Sequence, residues 1–64
     1  MVKANGVELD IAGKTVSEYL TAANYDPKRI VVERNCDIVP KERYGEIVLQ
    51  DGDVLEIISF VGGG

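Results

Sequence analysis

The stretch MVKANGVELDIAGKTVSEYL, residues 1–20, contains two local folding signals in succession. The first is the dipeptide Asn5-Gly6, with apolar and polar residues alternating on both sides of it, in residues 2–4 and 7–11. Asn-Gly favours a type I′ turn, because both central residues of that turn have positive φ angles. The stretch is therefore predicted to begin with a β-hairpin.

The second signal predicts a helix that begins after Thr15. Thr15 and Glu18 have the spacing of a capping box, in which each side chain binds the backbone N–H of the other residue. The apolar residues of the segment recur at the spacing of one helix face and are Val16, Tyr19, Leu20 and Ala23. Asn24 is expected to end the helix, and Pro27 prevents its continuation.

Three further strands are predicted after the helix. Residues 29–35, RIVVERN, read as a central strand, a turn follows at residues 35–37, and residues 38–40 form a brief extended piece. Residues 47–50 and 54–61 flank the turn sequence Asp51-Gly52-Asp53, which predicts a second hairpin. The order β-β-α-β-(turn)-β-β predicts an α+β fold of the β-grasp, or ubiquitin-like, type: a mixed sheet with one main helix on one face.

The composition limits the classes of function. The chain has 64 residues, of which seven are basic and eleven acidic, and its net charge is −4. This length allows one domain at most, and a basic surface for nucleic acid is missing. An apolar run of about 18 residues for a membrane span is also missing, as is a signal-peptide pattern at residues 1–6. We therefore expect a cytoplasmic protein that binds neither nucleic acid nor membranes.

The sequence offers few groups for catalysis or metal binding. It contains no histidine, and the single Cys36 forms neither a disulfide within the chain nor a structural zinc site. Residues 12–15, AGKT, resemble the end of a phosphate-binding loop, but Glu8 stands where that loop needs its first glycine. Asp51 and Asp53 are interpreted as turn residues rather than as a catalytic pair. We expect no enzyme activity, no bound metal and no intrinsic cofactor.

The last five residues, FVGGG at 60–64, differ in composition from the rest of the chain. We expect residues 1–60 to form the domain and residues 61–64 to form a flexible tail with a reach of at most about 13–14 Å. Glycine lacks a Cβ atom, so such a tail fits a channel that is too narrow for side chains. The α-carboxylate of Gly64 is then a group that an ATP-using partner could activate. Fraying or a cloning remnant is the alternative interpretation.

Six segments together resemble the ThiS family, the ubiquitin-like sulfur carrier proteins of thiamine biosynthesis. They are NG at 5–6, GKTVSEYL at 13–20, VVERN at 31–35, IVPKERY at 38–44, DGDVLEI at 51–57 and FVGGG at 60–64. The likeness spans the whole chain. It departs from the family pattern at Cys36 and in having three terminal glycines rather than two.

The resemblance implies that the chain is a co-substrate of other enzymes. An E1-like adenylating enzyme would use ATP and magnesium to adenylate Gly64, while Gly62 and Gly63 thread the channel of that enzyme. Sulfur from a cysteine desulfurase or another persulfide source would then replace AMP and give a C-terminal thiocarboxylate. Thiazole synthase would take this sulfur into the thiazole ring of thiamine.

The last strand indicates where such partners bind. If Leu55 and Ile57 face the helix, then Ile58 and Phe60 lie on the opposite face, next to Val61 and the tail. Exposed apolar patches mark partner sites, and phenylalanine is a good anchor in such sites. We expect Ile58, Phe60 and Val61 to form a partner-docking surface. The alternative is that Phe60 covers an edge of the core.

Two other functions fit the same sequence. A carrier of this kind could resemble the small subunit of molybdopterin synthase, or supply sulfur to another product. A β-grasp module that only binds proteins would have an inert glycine tail. Such a module would tolerate extra residues after Gly64, whereas a carrier would be disabled by them.

Overall fold

The computed structural model describes residues 1–60. This part of the chain contains the strands β1 (Val2–Ala4), β2 (Val7–Leu9), β3 (Ile30–Arg34), β4 (Asp37–Val39) and β5 (Val54–Ser59). It also contains the helix α1 (Val16–Ala22) and two short 3₁₀ helices, Pro27–Arg29 and Lys41–Arg43. None of these helices is long and apolar enough to cross a membrane.

The strands form a mixed sheet in the order β2-β1-β5-β3-β4. β1 and β5 are parallel, and all other neighbouring strands are antiparallel. α1 packs on one face of this sheet, where Val16 and Leu20 are buried in one cluster with Leu55 and Ile57 of β5. The structure therefore has the predicted α+β, β-grasp architecture, with β5 at the centre of the sheet.

The first hairpin and the start of the helix form as predicted. Asn5 and Gly6 have φ angles of 48° and 83° in the turn between β1 and β2. The Thr15 hydroxyl accepts a hydrogen bond from the Glu18 N–H at 3.1 Å, and the Glu18 carboxylate accepts one from the Thr15 N–H at 2.8 Å. Asn24, the predicted stop, has a φ of 65° just beyond the helix.

The predicted apolar face of the helix is wrong at its last position. Val16, Tyr19 and Leu20 are buried, but Ala23 is exposed. Ala23 is the C-cap residue, and the chain leaves the helical path there with φ of −86° and ψ of 1°. Tyr25 packs against the core instead, with its ring centroid 6.3 Å from that of Tyr19.

The second predicted hairpin is also wrong. Residues 47–50 do not pair with β5, and Val48 forms an isolated antiparallel bridge with Thr15. β1 and β3 occupy the two edges of β5, so no edge of that strand is free for residues 47–50. The turn at Asp51 and Gly52 does form, with a φ of 91° at Gly52. It turns the chain into the centre of the sheet rather than back along the preceding segment.

The connection from β3 to β4 is a tight turn at Asn35 and Cys36. These residues have positive φ angles of 52° and 74°, which reverse the chain direction. The turn predicted at residues 35–37 is therefore present. Asp37 already belongs to β4, which contains most of the extended piece predicted at residues 38–40. β4 is an edge strand, so its outward side chains lie beside those of β3 alone.

Candidate functional site

β5 carries the chain from the centre of the sheet to the start of the predicted tail. Leu55 and Ile57 point into the core and are buried, whereas Ile58 and Phe60 are 47% and 53% exposed. The structure therefore has the alternation that the sequence predicted for these four side chains. The docking role of Ile58 and Phe60 stays a prediction.

The other predicted site residues lie outside the described part of the chain. They are Val61, Gly62, Gly63 and Gly64. The division into a domain of residues 1–60 and a tail of residues 61–64 also stays a prediction. What the structure does show is how the last described residues are held.

The end of β5 is anchored on both sides. The backbone N–H of Phe60 donates a hydrogen bond to the Arg29 carbonyl at 2.9 Å. On the side of β1, the Asn5 side chain accepts a hydrogen bond from the Ile57 N–H at 2.7 Å and donates one to the Ile57 carbonyl at 3.2 Å. Asn5 was predicted only as a turn residue, because the local sequence gives no sign of a contact 52 residues away.

Ile58 and Phe60 belong to a larger exposed apolar surface. Val31 of β3 lies directly opposite Ile58 in the strand register and is half-buried. Phe60 borders a depression that Lys28 and the ion pair of Arg29 with Asp26 also line. We name Val31, Ile58 and Phe60 the docking patch. The local sequence does not indicate Val31 as a member of this patch, because the register between β3 and β5 is set by tertiary packing.

A buried carboxylate, Asp53, fixes the start of β5. It accepts hydrogen bonds from the Arg34 guanidinium at 2.8 Å, the Asn35 side-chain amide at 3.0 Å and the Gln50 backbone N–H at 2.9 Å. Burial by itself raises the pKa of Asp53, but these hydrogen bonds and the charge of Arg34 outweigh burial and lower the pKa below 3.8. Asp51 is exposed and pairs with the N-terminal ammonium. Asp51 and Asp53 therefore each have a structural partner, which agrees with their interpretation as turn residues rather than as a catalytic pair.

Comparison with known proteins decides the family. The model of the ThiS family matches residues 2–64, which include both anchored ends of β5 and the glycine tail. The chain belongs to the ThiS family. The resemblance that the six sequence segments indicated is therefore confirmed.

Curated relatives of this ThiS-family chain are of two kinds. The sulfur carrier protein ThiS of Bacillus subtilis strain 168 is 48% identical over 50 residues, which are 78% of this chain and 76% of that protein. The thiazole synthase of Paramagnetospirillum magneticum is 44% identical over 61 residues, or 94% of this chain. The thiazole synthase of Magnetococcus marinus is 40% identical over 53 residues, or 83% of this chain. The chain spans only 19% and 16% of the lengths of these two synthases.

Solved structures agree with the architecture. The crystal structure of the thiamine biosynthesis protein ThiS from Geobacter metallireducens superposes with a TM-score of 0.79 at 30% identity, over 98% of this chain and 97% of that one. A solution structure of a thiamine biosynthesis protein from the same organism gives a TM-score of 0.74 at 28% identity, over 98% of this chain and 86% of that one. The ThiS-type β-grasp fold predicted from the sequence is confirmed.

Proposed function

We propose that this ThiS-family chain is a sulfur carrier protein of thiamine biosynthesis. The observation that carries the proposal is the family match over residues 2–64, which takes in the glycine tail together with the strand that leads to it. The sulfur carrier protein of Bacillus subtilis, similar over most of both chains, supports it. In this proposal the chain is a co-substrate of other enzymes in the cytoplasm and has no enzyme activity of its own.

The proposed chemistry takes place at the α-carboxylate of Gly64. An E1-like adenylating enzyme binds ATP and magnesium, the carboxylate attacks the α-phosphorus of ATP, and pyrophosphate leaves. The terminal sulfur of a persulfide, supplied by a cysteine desulfurase or another source, attacks the acyl carbon, and AMP leaves. A thiol then cleaves the acyl disulfide and releases the thiocarboxylate. The carrier contributes the carboxylate and its position, and Gly62 and Gly63 keep the approach free of side chains.

We assign thiazole formation as the step that consumes the sulfur. Two proteins named thiazole synthase contain a segment similar to 94% and 83% of this chain. This arrangement supports a direct encounter between the carrier and a thiazole synthase. The same chemistry favours a reducing compartment, where a thiol is available to cleave the acyl disulfide.

Genetic complementation tests the assigned product. Expression of residues 1–64 in a Bacillus subtilis strain that lacks its own ThiS should restore growth without added thiamine. A variant that lacks Gly63 and Gly64 is the matched control and should not restore growth. Rescue of a molybdenum-cofactor defect, without rescue of the thiamine requirement, would contradict the assignment and favour the molybdopterin-synthase type of carrier.

Phe60→Ala should weaken binding of the carrier to the adenylating enzyme by about tenfold or more, which corresponds to about 1.4 kcal/mol. The reason is that Phe60 is 53% exposed in the free protein and offers a large apolar side chain to a partner. Its role in the fold is carried by its backbone N–H, which alanine retains. Titration calorimetry measures the affinity, and circular dichroism measures the melting temperature.

Val7→Ala is the matched control for this prediction. Val7 is 57% exposed on the edge strand β2, away from the docking patch, and its truncation should leave the affinity unchanged. Two results would count against the docking role of Phe60. One is an unchanged affinity of the Phe60→Ala variant, and the other is a loss of the fold, which would mean that Phe60 covers a core edge.

A further inference from the structure

Two glutamates face each other on the outer surface of the sheet. Glu33 of β3 and Glu56 of β5 are direct partners in the antiparallel register. Their chain neighbours Val32, Leu55 and Ile57 are buried toward α1, so both glutamate side chains project to the opposite face. Such cross-strand neighbours have Cβ atoms about 4.5–5.5 Å apart, and like charges in these positions destabilise a sheet.

No cation within residues 1–60 forms an ion pair with either glutamate. The ion pairs of this part of the chain join Arg29 to Asp26, Arg34 to Asp53, Arg43 to Glu46 and the N-terminal ammonium to Asp51. Glu33 is moreover half-buried, so water screens its repulsion by Glu56 less than it would between fully exposed groups. We therefore expect the pair to reduce the stability of the free protein.

Apolar side chains border the two carboxylates on three sides, and Lys3 of β1 lies beside Val54 in the strand register without forming an ion pair with either glutamate within residues 1–60. Val31 and Ile58 of the docking patch form the next outward pair toward the tail. Ile38 of β4 lies opposite Glu33 on the other side and is 67% exposed. Val54 precedes Glu56 in the outward row of β5 and is exposed. The glutamates thus lie in the same surface as the docking patch, and a partner that covers this surface would remove water from them.

A depression opens beside the glutamate pair. Its lining residues are Glu33, Asn35, Cys36, Val54 and Glu56. One wall is therefore apolar, at Val54, and two carboxylates border the same space. Lysine and arginine side chains are complementary to this depression. Their aliphatic stems can pack on its apolar wall, and their cationic ends can contact its carboxylates.

We propose that this depression receives a lysine or arginine side chain of the protein that binds the docking patch. The stem of that side chain packs against Val54, and its cationic group lies between the carboxylates of Glu33 and Glu56. Binding then relieves the repulsion in the free carrier and leaves neither carboxylate unpaired in the interface. The inference rests on the proposed function, in which the adenylating enzyme covers the docking patch.

A second copy of the chain does not fit this surface. In a two-fold symmetric pair the same surface is buried on both copies, so the glutamates of both copies would be brought into one interface. Each copy also carries a net charge of −4, which adds repulsion at longer range. A partner with a basic side chain flanked by apolar residues has the complementary charge instead.

The test uses the double variant Glu33→Gln/Glu56→Gln and an E1-like adenylating enzyme that adenylates the wild-type chain. The double variant should bind that enzyme about tenfold more weakly or worse, and its affinity should depend less on salt concentration. The free double variant should nevertheless melt at the same or a higher temperature, because the like-charge pair is gone. The control Asp10→Asn/Glu42→Gln makes the same change in net charge at exposed positions and should bind within about twofold of wild type.

Equal affinity of the wild type and the double variant would overturn the inference. Equal weakening by the control would overturn it as well, because only the overall charge would then matter. In both cases the proposed function stands, since the wild-type chain is adenylated. A different result would overturn the proposed function and the inference with it. In that result the wild-type chain is not adenylated by an enzyme that adenylates a known carrier.

Discussion

Asp53→Ala should lower the free energy of unfolding by about 3 kcal/mol, a large part of the stability of so small a domain. The Asp53 carboxylate accepts three hydrogen bonds, from Arg34, Asn35 and Gln50. Its removal leaves the partly buried guanidinium of Arg34 without its ionic partner and opens the start of β5. Urea denaturation followed by circular dichroism measures the loss.

The same interaction makes the stability depend on pH in a defined direction. The folded-state pKa of Asp53 lies below 3.8, the ordinary value of an aspartate, which we take for the unfolded chain. The stabilisation by the ionised carboxylate is therefore fully present above 3.8, decreases below it, and is lost once the pH has fallen through the folded-state pKa. We expect the difference in stability between the wild type and Asp53→Ala to be constant near neutral pH and to shrink in this acidic range.

Asp10→Ala is the matched control for Asp53→Ala. Asp10 is exposed and accepts no side-chain hydrogen bond within residues 1–60, so its truncation should change the stability by less than about 0.5 kcal/mol. A loss at Asp53 no larger than at Asp10 would show that the hydrogen-bonded cluster contributes nothing. A difference between wild type and Asp53→Ala that grows as the pH falls would contradict the direction of the pKa shift.

An added alanine after Gly64 should reduce thiocarboxylate formation to an undetectable level. The added residue converts the α-carboxylate of Gly64 into an amide, which cannot attack ATP, and moves the only free α-carboxylate one residue beyond the position proposed for adenylation. It also places a Cβ atom at the tip of the chain, where we propose a channel that admits glycine alone. Intact-mass spectrometry after incubation with the adenylating enzyme, ATP, magnesium and a persulfide source measures the fraction modified.

The matched control carries the same alanine before Met1. That end of the chain lies beside Asp51, so the extension should leave modification at Gly64 intact. Efficient modification of the chain extended after Gly64 would contradict the requirement for Gly64 as the terminal residue. Absence of modification from both the extended and the unextended chain would instead favour a β-grasp module whose glycine tail has no chemical role.

The parts of the fold that the sequence predicted are those with local causes. The Asn5-Gly6 turn and the Thr15-Glu18 capping box each involve residues at most three positions apart, and both form as predicted. The prediction of a second hairpin was wrong because the turn at Gly52 is compatible with more than one path of the chain after it. The outcome was decided by the long-range pairing of β5 with β1 and β3.

In the candidate site, too, features with local causes were predicted and features that depend on long-range strand pairing were not. Alternation along β5 predicted that Ile58 and Phe60 are exposed, because side-chain direction in a strand is a local property. Val31 in the docking patch and the Glu33-Glu56 pair were not predicted, since they depend on the register between two strands far apart in sequence. The contact of Asn5 with β5 was missed for the same reason.

The intact mass of the 64-residue chain tests the central claim most directly. The chain would be incubated with ATP, magnesium, a persulfide source and an E1-like adenylating enzyme that modifies a known carrier. We expect a mass increase equal to the exchange of one oxygen atom for sulfur, located at Gly64 by fragmentation. An unchanged mass, or the same change located elsewhere, would contradict the role of Gly64 as the sulfur-carrying residue.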